Sequence, residues 1–286
     1  MLRHVLVCLK PSPENQACQA AAVDLAVQTG AVLSGVYVRQ PAPLPVPILY
    51  PSPDLVIPGP FAAAAFNDQD ERVVEHRAEE DRRQTEVFAS FLRRAQSVAA
   101  RAGTITRTGE IQSELLTAAR ATDLVMLGRG YHPSETLLGS VTGAIVRHAG
   151  RPVLVVPEWR VPLKRIAVAY DGSLGADRAL AAAAELASSW RGERPEIALI
   201  AITHHDHDSL EFLEPARRYL NTCDLPYTTR TAAGDPAVLI NALALSEDAS
   251  LLCAGAFGHS LLREALLGST TQTILASWTR ALLLCH

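Results

Sequence analysis

The chain has no C-x-x-C pair. Its five cysteines, Cys8, Cys18, Cys223, Cys253 and Cys285, are scattered through 286 residues. Isolated cysteines inside apolar runs read as small core hydrophobes, which argues against a disulfide framework or a thiolate metal or redox centre. Positive charge is not in excess either: 26 Lys and Arg against 30 Asp and Glu leave a formal net charge of −4. Nothing electrostatic therefore calls for a nucleic-acid partner. Long hydrophobic runs are missing, and the longest, such as "RALLLCH" at the end, fall far short of the roughly 20 residues that cross a bilayer. The opening "MLRHVLVCLKP" alternates like a strand and runs into Pro11 without a signal-peptide cleavage pattern. A cytoplasmic protein with no membrane partner is the expectation. Three catalytic or phosphate signatures are also missing: the G-K-[ST] of a P-loop, a G-x-G-x-x-G after the first strand, and a G-x-S-x-G nucleophile elbow.

What is present is a chain that repeats itself. "HVLVCLKPS" (4–12) matches "RIAVAYDGS" (165–173), "TRTGEIQSELLTAARATDLVMLG" (106–128) matches "TRTAAGDPAVLINALALSEDASLLCAG" (229–255), and "LLGSVTGAIVRHAGRPVLVVP" (137–157) matches "LLGSTTQTILASWTRALLLCH" (266–286). The order is kept, so this is a tandem duplication, with "PEWRVPLK" (157–164) as the linker. Two domains follow, 1–157 and 163–286. In the second copy the pattern predicts strand 165–170, helix 174–190, strand 196–203, helix 209–222, strand 226–232, helix 235–247, strand 250–255, helix 269–278 and strand 281–285. Strands such as "ALIAI" and "SLLCAG" are continuously apolar, which indicates burial on both faces. The fold class is therefore α/β: two tandem doubly wound domains, each a five-stranded parallel sheet with helices on both faces. Ligands of such domains bind at the carboxyl ends of the strands, near a switch in strand order.

The first copy carries extra length between its second and third strands. It begins with "PAPLPVPILYPSPDLVIPGP" (41–60), too proline-rich for a helix or a central strand and read as a surface loop, lid or docking segment. A long helix follows over 67–103, its apolar face emerging at Val87, Phe91, Ala95 and Val98 and its charge-dense beginning read as a solvated face.

The candidate site lies in "GAFGHSLLREALLGS" (255–269). Gly255 ends the fourth strand of the second copy, at the ligand edge of the sheet. Gly268 and Ser269 open the next helix, where free N–H groups suit phosphate oxygens. G-x2-G-x9-G-[ST] after the fourth strand resembles the ATP-binding signature of the universal stress protein family, and Gly255, Gly258, Gly268 and Ser269 match it in full. "VAYDGS" supplies Asp171 at the end of the first strand, as in that family, and the first copy resembles it through "LLGSVTGAIVRHAGRPVLVVP". The resemblance implies an adenine nucleotide alpha hydrolase-like fold and ATP as ligand, with Mg²⁺ as an optional companion. It also implies a non-catalytic role in the stress response, and two domains packed as a pseudo-dimer partly through "PVLVV" and "ALLLC". A homodimer of the tandem chain is a further expectation. Carried over residue by residue, it places Asp171, the backbone at Ile202, Ala254, Gly255, Gly258, Gly268, Ser269 and Thr270 on nucleotide-contact positions, with His259 either lining the phosphates or packing the loop.

The first copy departs from this pattern. Lys10 stands where the second copy has Asp171, and ten residues separate Gly128 from Gly139 where twelve separate Gly255 from Gly268. Its site is expected to be altered or empty, or to hold a different anion through Lys10, Gly128, Arg129, Gly130, Gly139 and Ser140. "HHDHD" (204–208) follows the second strand of the second copy, and His205 and His207 there read as a plain turn, as neighbours of a bound nucleotide, or as metal ligands. No catalytic constellation stands out. A partner-binding module acting through 41–60 and a slow ATP hydrolase are the alternative functions.

Overall fold

The computed structural model describes residues 2–41, 59–128, 140–159, 162–203, 210–256, 274 and 277–286. Among these residues, ten strands alternate with helices. In the first half these are β1 (His4–Cys8), α1 (Pro13–Thr29), β2 (Val32–Arg39), α2 (Gly59–Ser97), β3 (Ala102–Thr108), α3 (Ile111–Ala119), β4 (Leu124–Gly128), α4 (Ser140–His148) and β5 (Val153–Val156). The second half contains β6 (Arg165–Ala169), α5 (Leu174–Ser189), β7 (Glu196–Thr203), α6 (Glu214–Thr222), β8 (Tyr227–Ala233), α7 (Pro236–Ser246), β9 (Leu251–Gly255) and β10 (Ala281–Cys285). Local chemistry sets the helix starts. Ser173 accepts the Ala176 N–H at α5, Asp235 accepts the Ala237 N–H at α7 ahead of Pro236, and Glu110 accepts from Gln112 and Ser113 at α3.

All the strands join one sheet in the order β3-β2-β1-β4-β5-β10-β9-β6-β7-β8. Each half contributes five parallel strands, and the seam between them is antiparallel, pairing Leu282 with Val155, Leu283 with Leu154 and Leu284 with Val153. The seam strands are wholly apolar and buried on both faces, so leaving either edge open would expose an adhesive strand. One buried cluster, including Leu25, Phe91, Leu154, Leu186, Leu199 and Leu283, runs across the seam on the face covered by α1, α2 and α5. The other face carries Ile145, Val155, Ile240, Ala254, Ile274 and Trp278.

Three expectations change. The long helix runs Gly59–Ser97 instead of 67–103, so Gly59 and Pro60 belong to its first turn, where a proline is tolerated. Val87, Phe91 and Ala95 are buried as expected, but Val98 is 48% exposed because the helix has already ended. Ala99 takes a left-handed φ of 54°, and the Ala100 N–H reaches back to the Ala95 carbonyl at 2.9 Å, a Schellman-type stop. The third strand therefore starts at Ala102. The helix expected at 209–222 is divided into a 3₁₀ turn, Glu211–Leu213, and α6, which restarts around Pro215 because proline cannot continue the preceding hydrogen bonds. The rest of the proline-rich segment (42–58) and most of the expected helix 269–278 lie outside the described residues.

Candidate functional site

The strand order reverses at β6: β7 lies on one side of it and β9 on the other. Such a switch point opens a crevice at the carboxyl ends of the strands. Beyond the end of β6, the Tyr170 N–H donates to the Ile200 carbonyl at 2.8 Å and keeps the chain in the sheet for one more residue. Asp171 then emerges exposed. Its Oδ1 accepts the Ser173 N–H at 2.9 Å, and Oδ2 has no partner among the described residues. Gly172 turns the chain with a φ of 77°, and Ser173 caps α5. The carboxylate is thus oriented by the turn that starts the helix, with one oxygen unpartnered among the described residues.

Ile202 lies half-buried near the end of β7, opposite Ala232 of β8. Ala254 is buried in β9 and Gly255 closes that strand, opposite Cys285 of β10. Gly255 has a steric role that its spacing in the motif concealed. A Cβ there would meet the Gly175 carbonyl carbon at 2.8 Å and the Ala176 nitrogen at 3.0 Å. The glycine lets the first turn of α5 lie directly against the end of β9, and Gly175 is small for the same reason. The Ala256 N–H then donates to the Cys285 carbonyl at 2.7 Å, fixing where the chain leaves the sheet.

Of the candidate residues in the second half, Asp171, Ile202, Ala254 and Gly255 are brought to one edge on three neighbouring strands. Gly258, His259, Gly268, Ser269 and Thr270 lie outside the described residues, as do His205 and His207. Among the described residues no group of three His, Cys, Asp or Glu side chains could hold a metal. In the first half Lys10 is exposed just past β1, Gly128 ends β4 and Ser140 opens α4, whereas Arg129, Gly130 and Gly139 lie outside the described residues.

Sequence patterns missed a second layer behind Asp171. Tyr170 is only 4% exposed, its hydroxyl donates to Asp177 Oδ1 at 2.6 Å, and its ring stacks on Phe212 at 6.4 Å between centroids. Burial, then the Asp177 carboxylate, pushes the phenol well above its ordinary range, so Tyr170 stays a neutral donor. "YDGSLGAD" does place Tyr170 beside Asp171 and seven residues before Asp177, but Phe212 arrives from a distant segment. The thiols offer no nucleophile at this edge. Burial drives Cys8 and Cys253 well up and Cys18 and Cys285 to about 12.

A twice-repeated five-stranded doubly wound unit, with a turn-fixed carboxylate beside a glycine-closed strand at its switch point, defines a tandem α/β protein with a crevice at the carboxyl edge of its second half. The sequence model of the universal stress protein family matches residues 1–157 and again 162–286. The chain belongs to that family. It is 27% identical over 157 residues to universal stress protein Slr1230 of Synechocystis sp., covering 54% of each, so it spans about half the length of that curated relative. Its fold is similar to that of a universal stress protein from Archaeoglobus fulgidus DSM 4304, with a TM-score of 0.73 and 19% identity over 99% of this chain and 97% of that one. It is also similar to a universal stress protein from Pseudomonas aeruginosa UCBPP-PA14, with a TM-score of 0.57 and 17% identity over 99% and 93%. No helix among the described residues is long and apolar enough to cross a membrane.

Proposed function

We propose that the second half binds ATP at the carboxyl edge of β6, β7 and β9, and that the protein is a cytoplasmic, non-catalytic regulator in a stress response. One observation carries this reading: Asp171 stands at the switch point with one oxygen fixed by the Ser173 N–H and the other open. An ionised carboxylate can only accept hydrogen bonds, so it selects ribose hydroxyls or an exocyclic amine, and it repels phosphate. The backbone at Ile202, one strand away, would read the base. Phosphates would then lie on the β9 side, where Ala254 and Gly255 lead into Gly258, His259, Gly268, Ser269 and Thr270 and backbone N–H groups supply the donors. Mg²⁺, where it accompanies ATP, would neutralise phosphate charge. The antiparallel β5–β10 seam supports an intramolecular pseudo-dimer, and a homodimer of the tandem chain would have to use surfaces outside that seam.

The test is to denature purified protein and identify the small molecules released, for the wild type and for Gly258→Val. ATP should leave the wild type only. If none is released and none binds on addition, the proposal fails. Conversion of ATP to ADP at a rate abolished by Asp171→Ala would make the protein a hydrolase instead. A second reading, a partner-docking module, is favoured by the length of α2. Tyr37 and Arg39, at the end of β2, pair with Glu80 and Asp81, so roughly 30 Å of helix precede that level. Partner capture lost on deleting 41–60 but kept in Gly258→Val would support it.

A further inference from the structure

The two halves can be superposed strand on strand through one shared hydrogen bond. Leu9 N–H donates to the Val36 carbonyl at 2.8 Å in the first, and Tyr170 N–H donates to the Ile200 carbonyl at 2.8 Å in the second. The equivalence carries Lys10 onto Asp171 and Val38 onto Ile202. Register then carries Arg107, the partner of Val38 on β3, onto Ala232, the partner of Ile202 on β8, and not onto Arg230, its counterpart in the repeated "TRT", which pairs two residues earlier with Ile200. At the positions where the second half has a carboxylate and a methyl group, the first half therefore has two cations. Register partners in a parallel sheet face the same way, so Arg107 shares a face with Val38, which packs into the cluster containing Cys8 and Val36. Lys10 lies two residues beyond Cys8, on the same alternation.

Arg107 is half-buried. Its Nε is buried without a hydrogen-bond partner, and no ion pair ends on its guanidinium among the described residues. A buried donor without an acceptor is costly, and its retention needs a reason. The nearby carboxylates do not supply one. Glu110 is engaged by the Gln112 and Ser113 N–H groups, hydrogen bonds that hold its pKa below the usual range. Glu114 packs against Gly109, within 3.1 Å of where a Cβ would stand. The other arginine at this edge, Arg39, is already paired with Asp81 and Gln84. Lys10 and Arg107 flank β2 from strands about 10 Å apart, a separation both side chains can close onto one ligand. The N-terminus of the nine-residue α4 opens at the same edge and adds positive potential.

We propose that the first half is a second ligand site with inverted charge, binding a phosphate-bearing anion between Lys10 and Arg107, where the second half would hold an uncharged ribose or base. Arg107 supplies a planar fork for oxygens and Lys10 a point charge. The location rests on reading Asp171 as a ligand position, but the chemistry rests on the cations alone. An adenosine without phosphate brings only neutral acceptors and no charge to this site.

The experiment titrates the full chain with inorganic pyrophosphate at low salt by calorimetry, in wild type, Gly258→Val and Lys10→Asp/Arg107→Ala. The double variant installs the second half's own residues. Pyrophosphate should bind wild type and Gly258→Val alike, and bind the double variant at least about tenfold more weakly, while release of ATP by denaturation is the same as from wild type. Unchanged affinity in the double variant overturns the proposal, as does absence of binding to Gly258→Val, which would put pyrophosphate in the second half. Lys10→Asp alone, at an exposed position, reads the same effect without risk to the fold. Failure of ATP binding with pyrophosphate binding intact would sink the second-half reading and leave this one standing.

Discussion

At one edge of the sheet, β1 runs out into Lys10 and β3 carries Arg107; at the matching edge, β6 runs out into Asp171 and β8 carries Ala232. The backbone around both places is the same to the level of a single hydrogen bond. The duplicated fold therefore supplies the same sheet edge twice, and the two differ in side-chain charge. The opposite edge differs as well. In the first half Asp123 accepts the Arg3 and His4 N–H groups at 2.9 Å, tying the start of β1 to the start of β4. In the second half the same task falls to Glu247, buried to 6% exposure, which holds Arg165 at 2.9 Å and also Arg230.

The largest effect should come from the close approach peculiar to Gly255. Gly255→Val must push against the backbone of Gly175 and Ala176, and should cost about 3 kcal/mol in urea unfolding. Gly103→Ala on β3, where a Cβ meets nothing within 4 Å, should be neutral or slightly stabilising. Equal losses would mean that the strand–helix contact at Gly255 is not tight. Next, Glu247→Ala leaves two arginines without their shared acceptor. The loss should be about 2 kcal/mol, below the range for fully buried pairs because Arg165 and Arg230 are 31% and 48% exposed.

A smaller effect, about tenfold in affinity, is expected of Asp171→Ala on ATP binding, from the loss of charge-assisted hydrogen bonds. Lys10→Asp should leave that affinity unchanged; a fall in both would erase the distinction between the halves. The smallest effect is on acid stability. Burial raises the pKa of Asp123, but the Arg3 and His4 N–H groups and the nearby Arg151 outweigh it and hold the carboxyl below its ordinary value. Its folded pKa is thus below its unfolded one of about 3.9. Its contribution is present above that pH and disappears as pH falls through the folded value. Asp123→Asn should flatten the pH dependence of thermal unfolding below about pH 4; an unchanged profile would mean that the two N–H groups do not hold the carboxylate.

Much of this was legible in the residue order. Continuous apolar runs located β7 at 196–203 and β10 at 281–285 to the residue, because strands buried on both faces admit little else. Serine ahead of an alanine-rich run located the start of α5 at 174, and aspartate before proline put the start of α7 one residue early, at 235. The end of α2 was not legible. Its stop is Ala99 in a left-handed conformation, with neither glycine nor proline to mark it, and the apolar spacing continues through Val98. Of the candidate site, the spacing of Asp171 and Gly255 put both at the carboxyl ends of neighbouring strands, where they lie, but it gave no sign of the contact between Gly255 and Gly175.

By itself, the sequence determined the duplication, the α/β class and the carboxylate-to-lysine exchange between the halves, since all of these are properties of order and residue type along one chain. Tertiary structure decided what depends on neighbours distant in sequence. It made Gly255 a contact for Gly175, set Phe212 on Tyr170, and placed Arg107 beside Val38 with its Nε buried and unpaired. It also merged two five-stranded sheets into one through β5 and β10. Apolar strand edges need partners, and which partner they find is settled by packing across the molecule, not by the local run.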